Sequence, residues 1–363
     1  MKAIILAGGF ATRLRPLSCT RPKTLFPIVN KPLLQWIFER LAKSSVKDVV
    51  LAVNLQTEFY IKKQRIPKNG LHIKYSIDPP KTPLGTAGPI KKAERLLGSA
   101  EPFLVLNGDI FVDVDYSEIV KKHVETDALA TIALCEVEDP SRYGVAEIAK
   151  GGLVKRFIEK PARGTAPTNL INAGIYVLSP KVLSYIPKGR AVSMEREIFP
   201  KLVEEGKLYG QPINGLWRDI GKPDEYLQAN KIILDMLVKK QEVRAASGFK
   251  VRQPVALDKN VSIGENSTIG PYAILGKNVK VGRNVQISES VIFPDAEIDD
   301  YAIVDGAVIG EAVAIGKKVK ISRDCIIADQ ARIKDGVLLA EGTAVCPAKE
   351  VSENHLRADN IIW

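Results

Sequence analysis

Residues 3–23 read AIILAGGFATRLRPLSCTRPK. The run from Ala3 to Ala7 is apolar at every position and ends directly in Gly8 and Gly9. An unbroken apolar run, rather than an alternating one, predicts a strand buried on both faces of an α/β sheet. Paired glycines at its carboxyl end let the backbone approach a ligand and offer N–H groups to an anion. Thr12, Arg13, Arg15 and Lys23 follow closely and supply hydroxyl and positive charge. Together these parts describe a polyphosphate site built around Leu6, Ala7, Gly8, Gly9, Thr12, Arg13 and Lys23. Neither a Walker A string nor G-x-G-x-x-G is present, so the two commonest phosphate loops are excluded. A bare Gly-Gly after a strand is ordinarily just a loop; Arg13 and Lys23 set this one apart.

At 363 residues the chain has room for two domains, each with its own core. Charged residues make up 26%, as in an ordinary water-soluble protein, and no stretch approaches the length of a membrane span. The N-terminus lacks a signal-peptide pattern. Cys19, Cys135, Cys325 and Cys346 are far apart and form no C-x-x-C pair, which fits a reducing cytoplasm and excludes a disulfide framework or zinc ribbon. The net charge of +10 favours anionic ligands. Aromatic residues are sparse and no RNA-binding signature occurs, so neither nucleic acid nor membrane is an expected partner.

Two rhythms divide the chain. Over 1–240, short apolar runs alternate with amphipathic stretches. Strands are expected at 2–7, 46–53, 103–107, 128–136 and 171–178, and helices at 31–43, 86–97, 116–125 and 223–239. This alternation predicts a mostly parallel, Rossmann-like sheet with helices on both faces. From 251 onward aliphatic residues recur six apart, at Ile263, Ile269, Leu275, Val281 and Ile287. After a phase slip the step resumes at Ile309 and continues through Ile315, Ile321, Ile327, Ile333 and Leu339 to Val345. A fixed short period marks a parallel β-helix of stacked coils. Residues 241–250, QEVRAASGFK, make the connection.

The opening stretch resembles the signature of the sugar-1-phosphate nucleotidyltransferases, L-A-G-G-x-G-T-R-L-x-P-L-T followed by P-K. Ala11 stands where that signature has glycine, and Thr24 where proline is common. Later segments resemble the family's in order. LGTAG at 84–88 is similar to the second nucleotide segment, implying base contacts at Gly85 and Thr86; a helix start capped by Thr86 is the structural alternative. FLVLNGD at 103–109 ends an apolar strand in Asp109, and WRDIG at 217–221 supplies Asp219; the resemblance implies that these two hold Mg²⁺. YGV at 143–145, FIEKP at 157–161 and NAG at 172–174 resemble the sugar-phosphate segments, which places Gly144, Glu159, Lys160 and Asn172 around the sugar phosphate. LGTAGP, MEREIFP (194–200) and NAGIYVLSP (172–180) look most like mannose-1-phosphate guanylyltransferases.

The resemblance implies a catalytic domain over 1–240 and a left-handed β-helix with a C-terminal tail over 251–363. It implies transfer of a nucleotidyl group from an NTP, GTP by the closest likeness, to a sugar 1-phosphate, with mannose 1-phosphate expected. Arg13, Lys23, Asp109, Lys160 and Asp219 are the expected catalytic set. Glucose-1-phosphate uridylyl- or thymidylyltransfer and a non-catalytic regulatory homologue are the alternatives. The last would be free to lose the charged positions, all of which are present here. An acyltransferase would need a base among the coils, and no histidine occurs between 251 and 350. The coils are expected to mediate homo-oligomerisation, with the apolar Ile361, Ile362 and Trp363 as a cover or contact segment.

Overall fold

A computed structural model describes residues 1–9, 12–79, 83–237, 248–358 and 361–362. Ala11 and residues 241–247 of the expected connection therefore lie outside the described residues. By their contacts the residues group into two compact units, Met1–Gly9 with Leu34–Arg218, and Phe10–Leu33 with Asp219–Trp363.

The first unit is built on a nine-stranded sheet of β1 (Lys2–Leu6), β2 (Asp48–Val53), β3 (His72–Ile77), β4 (Phe103–Asn107), β5 (Ala130–Glu136), β6 (Gly144–Ile148), β7 (Val154–Glu159), β8 (Leu170–Leu178) and β9 (Leu208–Pro212). The order is β7-β6-β8-β4-β1-β2-β3, with β5 joined to β8 and β9 to β5. Strands β3, β2, β1 and β4 are parallel, and β8 runs against β4, β5 and β6. Ala3, Ile4 and Ile5 have no exposed surface, as an apolar run covered on both faces requires.

The helices are α1 (Leu33–Ala42), α2 (Leu55–Gln64), α3 (Gly88–Lys92), α4 (Glu94–Leu97), α5 (Tyr116–Glu125), α6 (Phe199–Glu204) and, in the second unit, α7 (Pro223–Leu237). The single helix expected over 86–97 is interrupted at Ala93. Helices α2 and α6 and strands β3, β6, β7 and β9 add to the expected elements. Pro223 opens α7, where its missing N–H costs nothing.

In the second unit three parallel sheets of two- and three-residue strands stack coil upon coil, consistent with the expected left-handed β-helix. Partners in neighbouring coils lie one turn apart in register, as in Ile263 with Val281 and Ile321 with Leu339. The phase slip resolves into two shortened steps, Ile287 to Ile292 and Val304 to Ile309, so the buried column continues without a gap. Each turn holds one residue at positive φ, including Asn260, Asn266, Asn278, Asn284, Asp295 and Asp324. Asparagine and aspartate tolerate that region best among side-chain-bearing residues. The tail returns to the stack. Ile361 and Ile362 pair with Ala344 and Val345, and Ile362 is buried over the last coil; Trp363 lies outside the described residues.

Candidate functional site

In open α/β sheets ligands bind beyond the carboxyl ends of the strands. Strands β1 and β4 reach that edge together, with Leu6 opposite Asn107 and the Gly108 N–H donating to the Leu6 carbonyl at 2.9 Å. Their parallel pairing thus delivers the Ala7–Gly9 loop and Asp109 to one edge of the first unit. Asn54, at the end of β2, donates from Nδ2 to the Gly8 carbonyl at 3.0 Å while its Oδ1 accepts from the Thr57 N–H at 2.8 Å. One side chain therefore caps α2 and anchors the glycine loop. Asp78, just past β3, sits at the same edge with a buried Oδ1 that has no hydrogen-bond partner among the described residues. Burial pushes its carboxyl up to about 6, and the nearby charge of Lys92 opposes the rise.

Gly85 has a φ of +71°, and a Cβ there would meet the Val192 carbonyl oxygen at 2.3 Å, so only glycine fits. Thr86 does not cap a helix. Its hydroxyl donates to Glu195 Oε2 at 2.6 Å and accepts from the Met194 N–H at 2.8 Å, while Ala87 takes the N-cap position without a side-chain bond. The hydroxyl proton goes to the half-buried Glu195 carboxylate and the oxygen accepts from the Met194 N–H rather than from the first N–H groups of α3. Glu195 also accepts from the Ser193 hydroxyl at 2.8 Å and from the Tyr176 hydroxyl at 3.3 Å. The MEREIFP stretch therefore carries the carboxylate that joins these segments, which its sequence marked only by likeness. A lone glutamate ahead of an apolar helix gives no signal of its partners.

Tyr176 in turn accepts from Asn172 Nδ2 at 3.0 Å, and Asn172 Oδ1 accepts from the Gly174 N–H at 3.0 Å. The NAG segment is a bulge, with the β8–β5 register shifting between Asn172 and Tyr176. Glu159 is held above its usual carboxylate range, first by burial and then by the charge of Glu195. Gly144 lies against it, since a Cβ would stand 2.5 Å from the Phe157 ring and 3.0 Å from Glu159 Oε2. Lys160 is exposed, with Nζ 3.7 Å from Glu159 Oε1. Its backbone has a φ of +50°, rare for a residue with a side chain and rarer before a proline. The Lys160 N–H donating to the Tyr143 carbonyl at 3.0 Å holds that conformation. Strain of this kind gathers at ligand-binding positions. Trp217 ties these segments together, its Nε1 donating to the Ala173 carbonyl at 2.9 Å and its ring meeting Tyr143 edge-on at 5.5 Å. Thr86 and Asn172 are thus linked by hydrogen bonds through Glu195 and Tyr176, with the charge of Glu195 acting on Glu159, while Lys160 joins Glu159 and Tyr143 and the backbones of Gly85 and Gly144 pack closely at Val192 and Phe157.

The second unit carries the remaining charges. Thr12 and Arg13 lie on an exposed single turn, Thr12–Leu14. Lys23 opens a second turn, Lys23–Leu25, and is only 5% exposed. Its ammonium lies 3.3 Å from Asp219 Oδ1. A Cβ placed on Gly221 would be 3.0 Å from Asp219 Oδ2 and 3.2 Å from Arg13 Nη2, so arginine and aspartate close over the same glycine. Arg13, Lys23 and Asp219 are therefore assembled by the Asp219–Gly221 turn. Asp109 and Asp219 offer carboxylate oxygens. Among the described residues no three His, Cys, Asp or Glu side chains converge on a metal position. Carboxylate oxygens of this kind suit a hard cation that keeps waters and substrate oxygens better than they suit zinc or copper.

Comparison with known proteins matches residues 2–236 to the nucleotidyl transferase family and 251–362 to the GMPPB C-terminal domain family. The mannose-1-phosphate guanylyltransferase catalytic subunit beta of Danio rerio is 42% identical over 253 residues, which cover 69% of this chain and 69% of that protein. The mannose-1-phosphate guanyltransferase of Saccharomyces cerevisiae is 40% identical over 256 residues, 69% of this chain and 70% of its own. Among solved structures, HddC from Yersinia pseudotuberculosis complexed with GMP-PN is 30% identical with a TM-score of 0.54, covering 64% of this chain and 99% of that one.

Proposed function

This chain belongs to the nucleotidyl transferase family, and we propose that it transfers a guanylyl group from GTP to mannose 1-phosphate, releasing pyrophosphate. Enzymes of this family generally use a divalent metal. The observation that carries the chemistry is the buried Lys23 ammonium against Asp219, with Arg13 at the same turn. The choice of base and sugar rests on the two guanylyltransferase relatives and on the nucleotide-bound HddC.

The sugar phosphate needs no general base, because a phosphate monoester, with its second pKa at about 6, is already ionised at neutral pH. Its oxygen forms a bond to the α-phosphorus as the bond from that phosphorus to the bridging oxygen of pyrophosphate breaks. Two anions must meet, so the work left to the protein is alignment and charge neutralisation. We assign the Ala7–Gly9 amides, Thr12, Arg13 and Lys23 to the triphosphate and the departing pyrophosphate. Gly85 and Thr86 are assigned to the nucleoside, and Lys160 to the attacking phosphate. Glu159, raised and half-desolvated, and Asn172 are assigned to sugar hydroxyls, with Gly144 leaving room for the ring. Asp109 and Asp219 are the residues we assign to Mg²⁺. That ion, when bound, supplies a positive charge at the phosphates.

We place the reaction in a reducing cytoplasm, on the four free thiols. Self-association of the coil stack is proposed from its outward apolar side chains Ile303, Leu338 and Leu356. Light scattering of the full chain checks it, and a monomer at micromolar concentration would refute it. The activity is tested by a panel of four NTPs against mannose, glucose and N-acetylglucosamine 1-phosphates. GTP with mannose 1-phosphate is expected to give the highest kcat/KM. A faster pair with UTP or dTTP would transfer the assignment to glucose chemistry, and no turnover with any pair would make the chain a non-catalytic homologue.

A further inference from the structure

Two residues before Lys23, Arg21 is 7% exposed and its guanidinium makes three hydrogen bonds to two carboxylates. Its Nη2 lies 2.8 Å from Asp329 Oδ2 and 2.6 Å from Glu311 Oε2, and its Nε donates to the same Asp329 oxygen at 3.3 Å. Thr20 adds a hydroxyl bond to that oxygen at 2.7 Å. The guanidinium sits 4.9 Å over the centre of the Phe293 ring, which meets Phe26 edge-on at 6.2 Å. Asp329 and Glu311 are coil residues, and Asp329 Oδ1 accepts from the Glu311 N–H at 2.7 Å, so the acceptor is itself locked in the stack. Further along the segment, Asn30 Nδ2 donates to the Leu275 carbonyl of another coil at 3.0 Å.

A fold that needed only to bury this loop would use apolar side chains. Desolvating a guanidinium and the Asp329 carboxylate is costly unless the geometry is specific, and such groups are best at fixing register; Glu311 bonds the same guanidinium from the exposed side. The register being fixed is that of Lys23, which follows through Pro22 (φ −68°) into a short turn. We propose that Arg21 is a positioning residue for the transfer reaction, holding Lys23 at the reacting phosphates through its bonds to Asp329 and Glu311, so that the coil stack is part of the catalytic machinery. This rests on the assignment of Lys23 to nucleotidyl transfer. A misplacement of about 1 Å costs up to roughly 10²-fold in rate, whereas binding of the sugar phosphate, assigned to other residues, is untouched.

The test uses the full-length chain and the substrate pair that the wild type turns over best, so that the transfer reading is established before Arg21 is judged. Arg21→Gln is expected to lower kcat by about 10- to 100-fold with the KM for the sugar phosphate within about twofold. Placed in a Lys23→Ala background, Arg21→Gln is expected to change the rate by less than about twofold, because the group it positions is gone. A folded Arg21→Gln protein with wild-type kcat, or an equal loss in both backgrounds, would overturn the proposal. Should Arg21→Gln fail to fold, the milder Glu311→Gln and Thr20→Val decide. Each is expected to lower kcat about threefold or more, with the same loss of effect in the Lys23→Ala background. Wild-type kcat in both would overturn the proposal equally.

Discussion

In the sheet, Ile4 and Val105 are buried in one cluster of varied side chains drawn from strands and helices across the unit. In the coils, Ile315 and Ile321 are buried by near copies of themselves, one turn above and one below. The difference sets where chemistry can live. A repeating coil offers the same surroundings at every level, and stability becomes a sum of like contacts between neighbours. The sheet unit and the segments from 12 to 33 and 217 to 221 carry residues used once: Asn54 on the glycine loop, Glu195 on Thr86, and Lys23 on Asp219. Where the coils do take part in such a contact, they do so at a position that breaks their uniformity. Asp329 is a buried carboxylate, whereas Asp300 and Asp335, which accept the same N–H bond in other turns, are not buried.

The comparison breaks most visibly at the residues assigned to the metal. Asp219→Ala should reduce turnover by more than about 10³-fold, since it removes both the carboxylate contact to Lys23 and an assigned metal ligand, beyond the cost of a single preorganised contact. Steady-state rates on a protein with unchanged circular dichroism would check it, and activity within tenfold of wild type would remove Asp219 from the site. A coil substitution should behave in the opposite way. Ile315→Ala, at a fully packed position, should cost about 2–5 kcal/mol of stability, read as a lower urea midpoint, while kcat at 25 °C changes less than about twofold.

A third test separates the units by pH. His123 on α5 is buried, with Nδ1 2.9 Å from the Thr131 hydroxyl and Nε2 3.1 Å from the Ser179 hydroxyl. Burial holds its pKa down to about 4, against about 6.5 when unfolded. A group lowered on folding is disfavoured in its charged form, so its stability is complete above about pH 6.5 and is lost as the pH falls towards 4. The expected loss is about 2–3 kcal/mol in the sheet unit, and His123→Gln should flatten that slope. Unfolding monitored at pH 7 and pH 4.5 would show it. An unchanged slope in His123→Gln would mean that other groups set the acid limit.

What was legible in the sequence follows the same divide. The six-residue period announced the coils, because each level must bury one aliphatic in the same place. The phase slip was visible only as a gap, since shortening two turns by one residue leaves the buried column intact. Strand β1 and the glycine loop were legible as a long, specific string. The network that joins Thr86 to Glu195, Tyr176 and Asn172 was not. Those residues are far apart in the chain, and hydrogen bonds leave no period. Thr86 also read as a helix cap, a reading compatible with a base contact, and its bonds to Glu195 and Met194 decide against the cap. Strand β3 (HIKYSI) alternates exposed and half-buried residues at the sheet edge, so it lacks the continuous apolar run that marked β1 and β4. Arg21 looked like one more basic residue beside Lys23, because the carboxylates that bury it come about 290 and 308 positions later.

The central claim is a direct displacement in which single-use cations, Lys23 first among them, carry the charge of the transition state. The most direct measurement is pyrophosphate release from GTP by the wild type and by Lys23→Ala, with and without mannose 1-phosphate. The account predicts release only when both substrates are present, one pyrophosphate for each GDP-mannose formed. It predicts that Lys23→Ala lowers kcat about 10²–10³-fold and leaves the KM for mannose 1-phosphate unchanged. Pyrophosphate released from GTP alone, or a Lys23→Ala protein altered only in the KM for mannose 1-phosphate, would contradict it.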